Sequence, residues 1–191
     1  CLNSGGEGVA ASIKTFTGED MPQIPTEVTA VAEESGKVTL SWTLPEAGIN
    51  GGWVNLTKVS YDILRNGESL STDIKETTYI DNLPENELKS YKYTVIVKFG
   101  GEECGSVESN SVVFGKAVSL PYEQTFEDAS SFDLLNIIDN NGDGVTWQFD
   151  TGQFSAGYTF SADNAADDYL VLPKMTFKAY NVYSLSFDIC S

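Results

Sequence analysis

The chain contains no histidine among its 191 residues. That excludes Ser-His-Asp and Cys-His catalysis and every histidine-ligated zinc or iron site. Cysteine is scarce as well. Cys1, Cys104 and Cys190 lie far apart and form no CxxC pair, so zinc and redox motifs are missing. An odd number allows one disulfide at most within the chain, and mostly free thiols are expected. Basic residues are few: 11 against 28 acidic ones, a formal charge of −17. Such a surface repels nucleic acid and anionic lipid, because holding phosphate needs clustered Lys and Arg. It suits an extracellular protein kept soluble by charge, or one that gathers divalent cations. No apolar run approaches membrane-spanning length, so no membrane insertion is expected. Helical periodicity is nearly missing too.

What is present reads as β structure. The chain is 41% hydrophobic and 12% aromatic, too apolar for a disordered acidic tail. Short β-rich runs alternate with Gly, Pro, Asn and Asp. From Thr26, "EVTAVAEESGKVTLSWTLP" predicts two strands joined at Ser35-Gly36. Val38, Leu40 and Trp42 alternate with Thr39 and Ser41, which predicts one buried face. "VSYDILRNGESLS" carries Asn66-Gly67 between two runs, a pair that tolerates the positive φ of a tight hairpin. "TTYIDNLP" is a further short strand. In "YKYTVIVKFGG", Tyr91, Tyr93, Val95, Val97 and Phe99 share one face. Gly100-Gly101 then turns into a last strand that reaches Phe114. These make about seven strands, the number expected of an immunoglobulin-like sandwich.

Pro25 before the first strand, Trp42 on the second, and Leu83 followed by Tyr91-x-Tyr93-x-Val95 resemble a fibronectin type III domain over residues 24–116. The resemblance implies a core role for Trp42 and a tyrosine corner at Tyr91. The segment "EAGINGGWVNLTKVS" makes the second-to-third connection longer than usual.

"GKAVSLPYEQTFED" marks a boundary, after which the strands become aromatic: "YEQTF", "VTWQFD", "GYTFS", "DYLVLP" and "NVYSLSFDIC". In the last, Tyr183, Leu185, Phe187 and Ile189 alternate with Ser184, Ser186, Asp188 and Cys190, which predicts a half-buried strand. "PYEQTFED", "IDNNGDGVTW" and "AADDYLVLPKM" together resemble the start of a cleaved-adhesin or choice-of-anchor J domain, a MAM-like jelly roll of bacterial surface proteins. The match covers residues 117–191, fewer than such domains usually have, so a truncated jelly roll is expected. Residues 1–23 resemble the closing strand and linker that precede fibronectin domains in tandem arrays. A start at Cys1 also resembles a mature lipoprotein. The fold class expected is therefore all-β: a fibronectin type III sandwich followed by a partial jelly roll.

Chemistry concentrates in "DNNGDGVTWQFD". Asp139, Asn141 and Asp143 occupy the first, third and fifth places of a calcium loop, and Gly144 the sixth. Val145 would offer its carbonyl from the seventh place, and Asp150 stands at the twelfth. Asp150 is shorter than the usual Glu, and the flanks read as strands, so this is no EF-hand. A plain β-turn explains the Asn, Asp and Gly equally well, and both readings stay open. The resemblance also implies a second carboxylate group, with Glu127 and Asp128 from the opening strand and Asp168 from the "DD" segment. A solvated acidic edge that discourages strand pairing is the simpler account of those acids. Calcium is thus the expected cofactor, in a structural role.

The acids are numerous and undifferentiated, so no paired-carboxylate glycosidase is expected. Trp53, Trp147, Tyr158 and Tyr169 are candidates to stack on sugars; Trp53, in a Gly-rich loop, is the one expected to be exposed. The Asn55-Leu56-Thr57 acceptor motif is discounted, since it needs a eukaryotic secretory route. The function expected is non-catalytic binding, adhesion or spacing within a larger secreted or cell-surface bacterial protein. Its partners would be a host or matrix protein or a glycan, together with neighbouring domains of the same polypeptide. The alternative is a set of accessory modules, carbohydrate-binding ones included, of a secreted peptidase or glycoside hydrolase.

Overall fold

A computed structural model describes residues 2–3, 6–7, 13, 16–159 and 163–189. Cys1 and Cys190 lie outside the described residues, and Cys104 is a free thiol. The fold is all-β and built on antiparallel ladders. Among the described residues no helix is long and apolar enough to cross a membrane.

The strands in chain order are β1 (Leu2–Asn3), β2 (Gly6–Glu7), β3 (Val28–Ala32), β4 (Lys37–Trp42), β5 (Val59–Arg65), β6 (Glu68–Ile74), β7 (Thr78–Asn82), β8 (Lys89–Tyr91) and β9 (Tyr93–Phe99). After these come β10 (Glu102–Glu108), β11 (Val112–Phe114), β12 (Asn136–Asp139), β13 (Gln148–Asp150), β14 (Ser155–Gly157) and β15 (Asp168–Val171). The chain forms two compact units. One comprises residues 1–30, 40–79 and 92–110, the other 31–39, 80–91 and 111–191. β3, β4 and β7 form a three-stranded sheet in that order.

The first unit contains the sheet β10-β9-β5-β6. Its alternating positions are buried as the pattern predicts: Tyr61, Ile63, Tyr93, Val95 and Val97 are fully enclosed. Trp42 meets Tyr61 edge to face, with ring centroids 5.2 Å apart, as aromatic quadrupoles prefer. Asn66 (φ 51°) and Gly67 (φ 82°) make the β5–β6 turn, both in the left-handed region that a type I′ hairpin requires. The predicted single strand at 91–99 is split after Tyr91, and the predicted last strand is split between Glu108 and Val112. Ser109 and Asn110 occupy that second break. The Asn110 side chain accepts from Ala30 N–H (2.8 Å) and donates to Ala30 C=O (2.9 Å), standing in for a ladder partner of β3.

The second unit contains the ladders β11–β8, β12–β15 and β13–β14. Phe132 and Leu135 are buried, and Phe132 packs on Phe126 (6.4 Å) and Phe149 (5.9 Å). Two sequence expectations fail here. The "YEQTF" opening strand pairs with nothing in the described ladders. Asp128 instead caps a single helical turn, α1 (Ala129–Phe132), by accepting from Ser131 N–H at 2.8 Å. The strand expected over "NVYSLSFDIC" has no ladder through Ile189, and Tyr183, Leu185, Phe187 and Ile189 are 40–83% exposed. Period-two patterning marks a strand only where a neighbour supplies hydrogen bonds and a covering face. Conversely, β12 lies within "LLNIIDN", which shows no clean alternation.

Candidate functional site

The loop after β12 is built around Asp139. Its Oδ1 accepts from Gly142 N–H (2.7 Å) and Asp143 N–H (3.3 Å), and its Oδ2 from Gly144 N–H (2.8 Å). Gly142 (φ 68°) and Gly144 (φ 76°) supply the left-handed turns that point those N–H groups inward, which side chains with a Cβ resist. Asp143 Oδ1 accepts from Val145 N–H at 2.8 Å. Asn141 donates to Ala165 C=O (2.9 Å) and to Asp143 Oδ2 (3.2 Å). Asn140 donates its side-chain amide to Asp167 Oδ2 (2.6 Å) and its N–H to Asp167 C=O (3.1 Å). The loop is thereby tied to the segment that opens β15, and Asp139 pairs with Asp168 across the β12–β15 ladder.

Tyr158 gathers the electrostatics of this region. Its hydroxyl donates to Asp168 Oδ2 at 2.9 Å. That bond, with burial and the charges of Asp168, Asp143 and Asp139, pushes the phenol up to about 12. Tyr169 is raised for a similar reason, chiefly a hydrogen bond to Asp167. The carboxylates of Asp139, Asp143 and Asp168 thus share one neighbourhood.

The other sequence candidates are placed differently. Asp150 Oδ1 accepts from Gly152 N–H (2.7 Å) and Gln153 N–H (3.2 Å), which caps the turn between β13 and β14. Asp128 serves α1, and its bonds to the Ser130 hydroxyl and Ser131 N–H hold its carboxyl below the usual range. Glu127 is exposed.

A calcium ion takes six to eight oxygen ligands. A carboxylate has about four lone-pair sites, and three of those on Asp139 already receive N–H donors. Among the described residues no three acidic side chains form a ready metal group. The donor chemistry is nevertheless all oxygen, as a hard cation prefers, and Asp168 Oδ1 is buried without a hydrogen-bond partner. Asp139, Asp143 and Asp168 are the candidates whose charges all act on the Tyr158 hydroxyl.

A second locus was not legible in the sequence. Asp20 is 2% exposed, and its carboxylate accepts from Met21 N–H (2.9 Å), Asn50 N–H (2.9 Å), the Asn50 amide (2.9 Å) and Gly52 N–H (3.0 Å). Burial alone would raise its pKa, but these four donors outweigh it and hold the carboxyl below its ordinary value. Asp20 N–H donates to Trp53 C=O at 2.8 Å, and Ile49 N–H to Met21 C=O at 2.9 Å. A Cβ at Gly48 would collide with the Asp20 side chain, and one at Gly52 would lie 2.5 Å from Phe16. The long connection between β4 and β5 is therefore fastened around one buried carboxylate. It holds Trp53 at 65% exposure, and Ile49 and Met21 are exposed as well. Asp20 acts on residues thirty positions away, and no local spacing announces that.

No protein-family model and no curated protein matches this chain.

Proposed function

We propose that this chain is a non-catalytic binding or spacer segment of a larger secreted or cell-surface bacterial protein. Residues 24–116 are read as a fibronectin type III module, and residues 117–191 as part of a cleaved-adhesin-like jelly roll. The strand orders β3-β4-β7 and β10-β9-β5-β6 support the first assignment, since sandwiches of this class divide their strands so. Calcium is proposed as a structural brace of the loop at Asp139, Asp143 and Asp168, where it would neutralise three neighbouring carboxylates.

The observation that carries the binding reading is the display of Trp53. Exposing an indole to water is unfavourable, and a hydrogen-bonded clasp prevents the loop from folding it away. Such preorganisation lowers the ordering cost of association. The partner is a host or matrix protein, or a glycan. The test is surface binding of the intact chain to a panel of matrix proteins and glycans. Binding that falls at least ten-fold in Trp53→Ala supports the proposal. No binding across the panel, or binding indifferent to Trp53→Ala, overturns it. The calcium brace has its own test: thermal melting in millimolar calcium and in chelator should differ, and coincident curves refute it.

A further inference from the structure

Asparagine followed by glycine occurs three times, at Asn50-Gly51, Asn66-Gly67 and Asn141-Gly142, and all three asparagines are exposed. The pair is chemically labile in water, because a glycine leaves its backbone nitrogen unshielded by a Cβ. In the loop that carries Trp53, the Gly51 nitrogen attacks Cγ of Asn50 and forms a C–N bond, while the Cγ–Nδ2 bond breaks. Ammonia leaves with the proton that Gly51 gives up. Water then opens the succinimide ring at either carbonyl, which yields aspartate or isoaspartate. No reactant but water is needed. A Cβ at Gly51 would meet nothing within 4 Å, so the turn is uncrowded there.

The three sites differ in what the new carboxylate meets. Asn66 Oδ1 accepts from Lys92 N–H at 2.7 Å, which an aspartate oxygen does equally well. Asn141 donates to Asp143 Oδ2 at 3.2 Å in an exposed contact, where water screens an added charge. Asn50 donates its amide to Asp20 Oδ1 at 2.9 Å, and Asp20 is 2% exposed. Deamidation there sets a second carboxylate against a buried one. Asp20 is held by N–H donors and by no ion pair among the described residues, so no cation offsets the repulsion. Two carboxylates that close cannot both stay ionised and buried. Isoaspartate adds a second fault. Its longer backbone shifts the N–H groups of residue 50 and Gly52, which lie 2.9 and 3.0 Å from Asp20 Oδ2. The closed clasp also guards the site. The Asn50 amide is bonded to Asp20, and Gly51 N–H to Gly48 C=O at 2.9 Å, so both must let go before the attack. Modification therefore follows an opening and prevents reclosing.

We propose that Asn50 is a site of self-modification, whose deamidation irreversibly unfastens the Trp53 loop from Asp20. The inference goes beyond the binding reading above and does not need Trp53 to have a partner.

The intact chain is aged in warm, mildly alkaline buffer, and peptide mass spectrometry follows Asn50, Asn66 and Asn141. Aspartate and isoaspartate should accumulate at Asn50. Hydrogen exchange is then measured at the Met21 and Gly52 amides, which donate to Asp20. In the aged chain and in Asn50→Asp their protection should fall at least about ten-fold, the loss expected when a charge-assisted hydrogen bond goes. Asn50→Ala removes the donor without adding charge and should lose less than Asn50→Asp. Asp20→Asn combined with Asn50→Asp reverses the pair, so that an amide again faces a carboxylate, and should recover most of the protection. The aged chain carries the test if a variant does not fold. The proposal is overturned if Asn50 stays intact on ageing, or if the aged or Asn50→Asp loop keeps its protection. It is equally overturned if Asn50→Ala matches Asn50→Asp, or if the reversed pair recovers nothing. None of these readouts involves a partner. Failure of the glycan and matrix panel leaves this inference standing, and failure here leaves the binding reading standing.

Discussion

The sheet β10-β9-β5-β6 and the segment from Tyr183 to Ile189 share one sequence grammar, an aromatic or aliphatic residue at every second position. They end in opposite states. In the sheet, Tyr93, Val95 and Val97 on β9 are fully buried, with β5 on one side and β10 on the other. In the segment, Leu185 and Phe187 are each 72% exposed and no ladder runs through them. Alternation therefore prepares a face for burial but does not supply what buries it. A strand becomes a strand when neighbours satisfy its backbone and a second layer covers its apolar side.

The largest expected effect breaks the comparison at its strong end. Ile63→Ala, in the centre of β5, should cost about 2–5 kcal/mol by lost transfer energy and the cavity left behind. Urea unfolding of the chain measures it as a lower midpoint with an unchanged slope. A cost below 1 kcal/mol would mean that the sheet is not the stabilising core. Phe187→Ala is the matched control at the weak end and should stay within about 0.5 kcal/mol. A large loss there would show that the segment is covered in solution.

Asp20→Ala comes next, at about 2–3 kcal/mol, since it strands several N–H groups in a closed loop. The same carboxylate sets a pH dependence. Its pKa is held below the ordinary 3.8, so its contribution is complete above that value. The contribution is lost as pH falls through the lower, folded-state pKa. Fluorescence of Trp53 should thus be steady down to about pH 4 and change only below it. A transition near neutrality would contradict the clasp.

Gly144→Ala sharpens the comparison on the loop side. Its φ of 76° strains any residue with a Cβ, and nothing crowds the added carbon. The cost should be about 1 kcal/mol, read from the same unfolding curves. A neutral result would show the loop free to choose another turn. The smallest effect is spectroscopic. Tyr158 should titrate about 12 by ultraviolet absorbance, and Asp168→Asn should bring it back towards 10. An unchanged titration would remove Asp168 from its neighbourhood.

Much of the fold was legible before any coordinates. The Asn66-Gly67 hairpin, the Gly100-Gly101 turn and the buried face of β4 all follow from local residue chemistry. The loop at Asp139 was legible as oxygen-rich and turn-prone. Its N–H donors were hidden, because they belong to backbone whose direction the glycines set. Asp150 matched a spacing, yet its Oδ1 caps the next hairpin, since a carboxylate two residues before a glycine finds the nearest N–H first. Asp168 was singled out for calcium, while its bond to Tyr158 went unseen. Strand β12 was missed because "NIID" places two apolar residues together and offers no period to read.

Sequence alone determined the chemistry excluded by missing histidine, the acidic surface, the all-β class and most turns. Each depends on composition or on residues within a few positions of one another. Tertiary structure alone decided that Asp20 fastens the Trp53 loop, that Asn140 reaches Asp167, and that Tyr183–Ile189 lies open while β9 is enclosed. Those outcomes depend on groups tens of residues apart, whose meeting is set by the fold's geometry and leaves no local pattern.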